Sequence, residues 1–306
     1  MRKPIVIALA LPLAITLTCC GNNHPQKEKK TEVTNEEPVV AEVAETVETP
    51  QEPKEPAFPW SYPEGIKNGM FDEGQYVLSI QSFYPTKLKE SDNPAKETYI
   101  FYHATLSSIG DPKSAVKYFG EDIEMPNSLI IPIAKEQTAK KGDIVLTWWQ
   151  TGSGLQRAIV TDASNPTMPK VSYLDLSYKD DGSGFANQHA NEQLKPNSFV
   201  VLNNGEWQPG QQIITSSNDA ATLVSCTDDQ VLVSGFAGKI DVYKRSDCKI
   251  IPLNQNLKAG DEVMAIFASG YNTGYKVKKV DQKLGRVWVE KDGDVKILNI
   301  LEVYKP

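Results

Sequence analysis

Glu262-Val263-Met264-Ala265-Ile266-Phe267, Tyr275-Lys276-Val277-Lys278-Lys279-Val280, Arg286-Val287-Trp288-Val289-Glu290 and Val295-Lys296-Ile297-Leu298 follow one another near the end of the chain, and their reading decides the fold. Apolar residues recur with a period of two, the signature of half-buried strands and not of helices. Turn residues separate the runs: Gly285 precedes the third, and Asp292-Gly293 stands before the fourth, where a two-residue hairpin turn favours Asp-Gly. Four or five short strands so closely spaced describe a small sheet curled on itself, with Val263, Val277, Val287 and Val289 sharing one little core. A unit of this size buries little surface alone, so it is expected to lean on its neighbours.

Working backwards, the same plan recurs three more times. A Gly followed three residues later by a β-branched apolar residue opens each segment: Gly74 with Val77, Gly142 with Val145, Gly210 with Ile213, and Gly260 with Val263. Closing apolar runs are read at 129–133, 199–202, 249–253 and 295–298, and the gaps to the next opening Gly are nine, eight and seven residues. Modules are therefore expected at 59–138, 139–205, 206–255 and 256–306. Two stretches depart from the plan. Residues 179–195, with Asp180-Asp181-Gly182-Ser183-Gly184, read as a long polar loop in the second module. In the first, Asp111-Pro112 leading to Phe119-Gly120 predicts a short helix, with Asp as N-cap and Pro at the first helical position. The pattern as a whole predicts an all-β tandem array of small SH3-like barrels. Residues 156–160 followed by 171–175, and 275–277 followed by 287–289 and Asp292-Gly293, resemble the second and third strands of Tudor-like barrels within that group. The resemblance implies a binding module and not a catalyst. Its architecture carries over, but the methylated side chains read by nuclear Tudor proteins do not.

The amino-terminal residues carry a different signal. Arg2 and Lys3 precede an apolar run from Ile5 to Leu17, too short to span about 30 Å of hydrocarbon but suited to a signal-peptide core. Leu17-Thr18-Cys19-Cys20 then resembles the bacterial lipobox, with Leu three positions before the cysteine that is acylated. Cys20 fits better than Cys19, which would put Thr16 in place of that Leu. The resemblance implies removal of a signal peptide at 1–19 and a lipid-modified Cys20. Two or more acyl chains of the palmitate kind would anchor the protein stably in a membrane. An ordinary secretory signal is the other reading. Gly21 stands where an Asp would imply retention at the inner membrane, so the outer membrane is favoured where a cell has one. Residues 20–58 hold nine Glu against four Lys, five Pro, and no aromatic before Phe58. Such a segment cannot offset chain entropy by burial and reads as a disordered tether, with a span of roughly 35 Å.

With Cys20 acylated, Cys226 and Cys248 are left in the mature chain. In an oxidising compartment they are expected to form one disulfide inside the third module, worth about 3 kcal/mol; two separate buried thiols are the alternative. Neither has a nearby His or a Cys-x-x-Cys partner for zinc. His24, His103 and His189 adjoin no nucleophile pattern. The acidic turn at 180–184 lacks the ligand spacing of an EF-hand. No catalytic residue, metal or cofactor is assigned. A net charge of −7 offers no basic footprint for nucleic acid.

Aromatics are the better functional clue. Trp148 and Trp149 are adjacent, so on a strand one of them faces away from the module's own core. Together with Tyr173, Phe267, Tyr271, Tyr275 and Trp288 they are the candidate binding residues, able to stack on sugars or grip peptides. Filling contacts between neighbouring modules is the other reading. The function expected is a non-catalytic binding or scaffold lipoprotein of the cell envelope, whose partners are the membrane, through its anchor, and an envelope protein, peptide or glycan. An envelope hydrolase using loop carboxylates, as within 179–195, is the alternative. A purely structural spacer is a third.

Overall fold

In the computed structural model, which describes residues 57–69 and 71–306, the four repeat-opening glycines play one structural part. Gly74, Gly142, Gly210 and Gly260 have φ of 76°, 92°, 91° and 93°, the left-handed region that a side chain disfavours. Each sits third in a tight turn, in which Gln75, Asp143, Gln211 and Asp261 donate their N–H to Asp72, Lys140, Gln208 and Lys258. The glycine N–H then donates, at 2.8 Å in every case, to the carbonyl of Leu106, Val160, Leu223 or Val277 on the neighbouring strand. Those four residues donate back across the ladder, and a bulge follows each of them on the same strand. Turn, ladder and bulge recur together four times. The expected signal peptide at 1–19, the expected lipidation site Cys20 and the expected tether as far as residue 56 lie outside the described residues.

Strands follow in the same order each time. The first sheet holds β1 (Tyr76–Ser79), β2 (Tyr102–Ser108), β3 (Lys113–Tyr118), β4 (Glu121–Pro126) and β5 (Ile130–Pro132). The second holds β6 (Ile144–Trp148), β7 (Leu155–Asp162), β8 (Lys170–Tyr173), β9 (Asn191–Gln193) and β10 (Val200–Val201). The third holds β11 (Gln212–Thr215), β12 (Ala220–Cys226), β13 (Gln230–Ser234), β14 (Ile240–Lys244) and β15 (Cys248–Ile250). The fourth holds β16 (Glu262–Phe267), β17 (Gly270–Asp281), β18 (Arg286–Lys291), β19 (Asp294–Asn299) and β20 (Val303–Tyr304). In every sheet four strands meander and the fifth returns beside the first, all antiparallel. The fold is all-β, four small sheets in tandem. Among the described residues no ladder joins a fourth strand to a fifth, so the sheets are open where closed barrels were expected.

Three local expectations are corrected. The stretch after Asp111-Pro112 is β3 and not a helix: Ser114 and Val116 point inward with a period of two, and Asp111-Pro112 makes the turn before it. The one α-helix among the described residues, α1 (Phe83–Glu90), lies instead between β1 and β2. In the fourth module the run at 295–298 is the fourth strand, and the closing strand is β20. Cys226 and Cys248 are free. Cys248 pairs with Thr215 at the end of β11 that turns into β12, whereas Cys226 is at the opposite end of β12, facing Val231, so no disulfide joins them. Burial raises both thiol pKa values.

Alternation divides the apolar residues between private and shared cores. In the second sheet Val145, Ala158, Val160, Val171, Tyr173 and Phe199 pack with one another, while Ile144, Leu146 and Trp148, on the opposite face of β6, join a core shared by all four sheets. The third sheet likewise keeps Ile213, Leu223, Val231 and Val233 to itself and turns Ile214 to meet Met264 and Tyr271 of the fourth. Backbone bonds reinforce these contacts: Leu155 to Phe101 at 2.9 Å, Tyr99 to Gly238 at 2.8 Å, and Tyr271 to Asn218 at 2.7 Å. The described residues accordingly form one compact unit.

Candidate functional site

The chain between β8 and β9 folds back as a miniature hairpin. Tyr178 pairs with Phe185, Lys179 donates its N–H to Gly184 at 2.8 Å, and Ala186 donates to Ser177 at 3.0 Å. Gly182 supplies the positive φ of 73° that the tip requires, and Asp181 accepts the Ser183 N–H at 2.8 Å. The base of this hairpin is fastened to the fourth sheet. Arg286 Nη2 donates to the carbonyls of Tyr173 at 2.6 Å and Leu176 at 3.1 Å, and Asn299 Nδ2 donates to that of Leu174 at 3.0 Å. Between the hairpin and β18–β19 opens a cleft of about 710 Å³, whose lining includes Asp175, Tyr178, Asp180, Arg286, Ile297 and Glu302.

Two buried arginines set the charge beneath it. Arg157, on β7, grips both oxygens of Asp175, with Nε at 3.0 Å and Nη2 at 2.6 Å, and sends Nη1 to Gln212 of the third sheet at 2.7 Å. Burial works against its charge, but Asp175, Tyr271 and Glu302 together outweigh it and the guanidinium pKa rises. Arg286 is only 2% exposed, and burial lowers its pKa in spite of Glu302 and Asp175 nearby. The rings of Phe185 and Tyr178 lie 5.0 and 5.9 Å from its guanidinium carbon, and its Nε has no hydrogen-bond partner. Glu302 accepts the Asn299 N–H at 2.8 Å. Burial raises its carboxyl pKa, the Asn299 bond works the other way, and Asp175 adds to the rise.

Tyr178 is the aromatic residue that lines the cleft. Tyr178 stands edge-on to Phe185 at 5.0 Å and to Trp288 at 5.9 Å, and Lys279 covers the Trp288 ring at 4.5 Å. At the mouth Asp180 and Asp181 are exposed, with Lys179 beside them. Because Arg157 holds Asp175, the carboxylates open to a ligand are those at the mouth. The arrangement suits a polar ligand that stacks on Tyr178 and presents positive charge outward. No family model matches the chain, and no curated protein matches it. Among the described residues no group of three or more His, Cys, Asp or Glu is placed to hold a metal ion, and no helix is long and apolar enough to cross a membrane.

The seven aromatics singled out from sequence do not line one groove. Trp148 is 1% exposed, stacked on His103 at 5.0 Å and tilted against Tyr76 at 5.1 Å, so it joins the first and second sheets. Trp149 packs on the second sheet's own core. Tyr173 is buried there, donating to the Trp148 carbonyl at 3.1 Å and bonded to Glu192 at 2.6 Å. Tyr271 is buried between the third and fourth sheets, donating to the Leu301 carbonyl at 2.5 Å. Tyr275 lies in the shared core. Phe267 is exposed on a different face, under Lys296 at 4.1 Å. Trp288 alone adjoins the cleft, through Tyr178. Of the residues that build the cleft, Arg157, Arg286 and Glu302 went unmarked as site residues because a lone charge in a strand-like run reads as solvent-facing, and Tyr178 because it lies just before the polar segment. Only Asp175 and the 179–195 segment carried a signal.

Proposed function

We propose that the protein is a lipid-anchored binding or scaffold protein of the cell envelope, built from Tudor-like sheets, that holds an envelope peptide or glycan in the cleft between its second and fourth sheets. The supporting observation is the cleft itself: a concave site of about 710 Å³ lined by the ring of Tyr178 and by a charged floor fixed by Arg157 and Arg286, within the size range of ligand sites. Cys20 supplies the anchor in this reading, with the acidic, Pro-rich segment as its tether.

Replacing Tyr178 by a photo-crosslinking amino acid in the full chain, in its native cells, tests the reading. Irradiation should yield an envelope peptide or glycan adduct that is missing when the crosslinker replaces exposed Ile109 of the first sheet. Identical adducts from both positions, or none from 178, would defeat it. Membrane release of Cys20→Ala is expected as well, and retention would remove the anchor from the account.

One observation favours the hydrolase alternative: Glu302, with its raised carboxyl pKa, lines the cleft together with Asp175, as an acid and its partner would. Against it, both Asp175 oxygens are occupied by Arg157, leaving no free base or nucleophile there. Unchanged wall-glycan turnover in Glu302→Gln and Asp180→Asn cells supports binding; loss of turnover supports hydrolysis.

A further inference from the structure

The outer edge of β19 says what class of ligand the cleft takes, an inference that rests on the binding reading above. The β18–β19 hairpin turns through Asp292 and Gly293, both with positive φ, 54° and 90°. In that two-residue turn Lys291 and Asp294 form a hydrogen-bonded pair. Bonded pairs then alternate along the ladder, Val289 with Lys296 and Val287 with Leu298, and Ile300 donating to Gly285 at 2.9 Å continues the series. Val295, Ile297 and Asn299, which fall between, turn their N–H and C=O groups away from β18. Asn299 illustrates this, since its N–H meets Glu302.

β19 ends its sheet, and among the described residues no strand pairs along its outer side. The outward backbone groups of Val295 and Ile297 therefore have no strand partner. Ile297 lines the cleft, and the hairpin tip faces it: a Cβ on Gly182 would lie 3.9 Å from Ile297 Cδ1. Two of the three corresponding edges, those of β4 and β14, are guarded. β4 carries exposed Glu121, Asp122 and Glu124, and β14 is approached by Thr98, paired with adjacent Lys239. Natural edges are usually protected in such ways.

We propose that an extended basic peptide enters the cleft and adds to the fourth sheet as a sixth strand, pairing with Val295 and Ile297. Pairing stops beyond Ile297 because Glu302 already holds the next outward N–H. Charge selects the peptide: at the exposed mouth Asp180 and Asp181 are in no ion pair among the described residues, with Lys179 as the cation beside them and Arg286 buried below, so Lys or Arg side chains fit there. A glycan has no row of alternating amide donors and acceptors to match the edge.

Amide hydrogen exchange on the full chain tests this, with an acetylated, amidated hexapeptide of alternating lysine and valine as probe. Its alternately N-methylated analogue and chitotetraose serve as controls. The hexapeptide should slow exchange at Val295 and Ile297 about ten-fold or more, and the N-methylated analogue should not. Val295→Pro removes one outward donor while leaving the bonds to β18 intact, and should weaken binding about ten-fold. The wild-type exchange result stands by itself if that variant does not fold. If chitotetraose perturbs Tyr178 and Trp288 while the hexapeptide protects neither edge amide, the cleft survives as a binding site and strand addition is overturned. If no probe perturbs Tyr178, Trp288 or Ile297, both readings fall.

Discussion

Trp148→Ala should be among the most destabilising single changes in the folded region. The side chain is 1% exposed, and an aromatic of its kind buries about 150–250 Å². At about 25 cal/mol per Å² that gives roughly 4–6 kcal/mol before relaxation, and truncations of buried Trp fall at about 3–5 kcal/mol. Its contacts with His103 and Tyr76 add about 0.5–1.5 kcal/mol each when ring pairs of this kind are lost, so a loss near 4 kcal/mol is a cautious figure. In a folded region of this size each kcal/mol lowers Tm by about 2–4 °C, hence a fall of about 8–16 °C. Far-UV circular dichroism is the appropriate assay, because the substitution deletes one of the fluorophores. Trp149→Ala, which removes a half-buried ring from a single sheet, should cost visibly less. A loss below about 1 kcal/mol for Trp148→Ala, the level of an ordinary surface change, would refute the claim that this ring joins two sheets.

Other consequences follow from single residues. Gly142→Ala meets open space and suffers only its positive φ, a cost of about 1–2 kcal/mol; Gly210→Ala also drives a Cβ to 2.9 Å from Leu146 and should lower the denaturation midpoint further. Arg157→Met, leaving Asp175 without its partner, should cost about 3–5 kcal/mol, while Arg157→Met with Asp175→Leu should recover much of it in chemical denaturation. Burial lowers the His103 pKa, and its Nδ1 has no partner. The folded state therefore disfavours the proton: the stability is in place above the ordinary histidine value of about 6.5 and is lost as pH falls below it towards the lowered folded value. Denaturation of wild type and His103→Phe from pH 8 to 5 should diverge only on the acid side, and parallel curves would remove His103 from the acid response.

The repeat was legible because its opening turn needs a residue with positive φ, and only glycine takes that conformation without strain at all four positions. Alternation at 262–290 placed the strands of the last module for the same local reason. β20 was missed because two residues, Val303 and Tyr304, are too few to show a period, so the stronger run before it looked terminal. Asp111-Pro112 misled because the same dipeptide suits a helix start and a turn; the alternation of Ser114 and Val116 was the deciding signal. α1 was hidden by Pro85, which its first turn tolerates because the N–H groups there have no helical partner. Of the site, the acidic hairpin tip stood out as polar. Arg286 and Asn299, which fasten the hairpin's base, are more than 100 residues away from the carbonyls they bond, and their burial arises only when the second and fourth sheets meet. Trp148 does face away from its own sheet's core, as adjacency to Trp149 required, but the first sheet covers it.

The cleft exists only if the four sheets fold as one body around their shared core. Native-state hydrogen exchange at the amides of Leu106, Val160, Leu223 and Val277, which hold the same ladder position in each sheet, measures that directly as denaturant is added. The four opening free energies should converge on one global value. Four distinct values, with one sheet opening several kcal/mol below the rest, would mean independent modules and a cleft without a fixed floor.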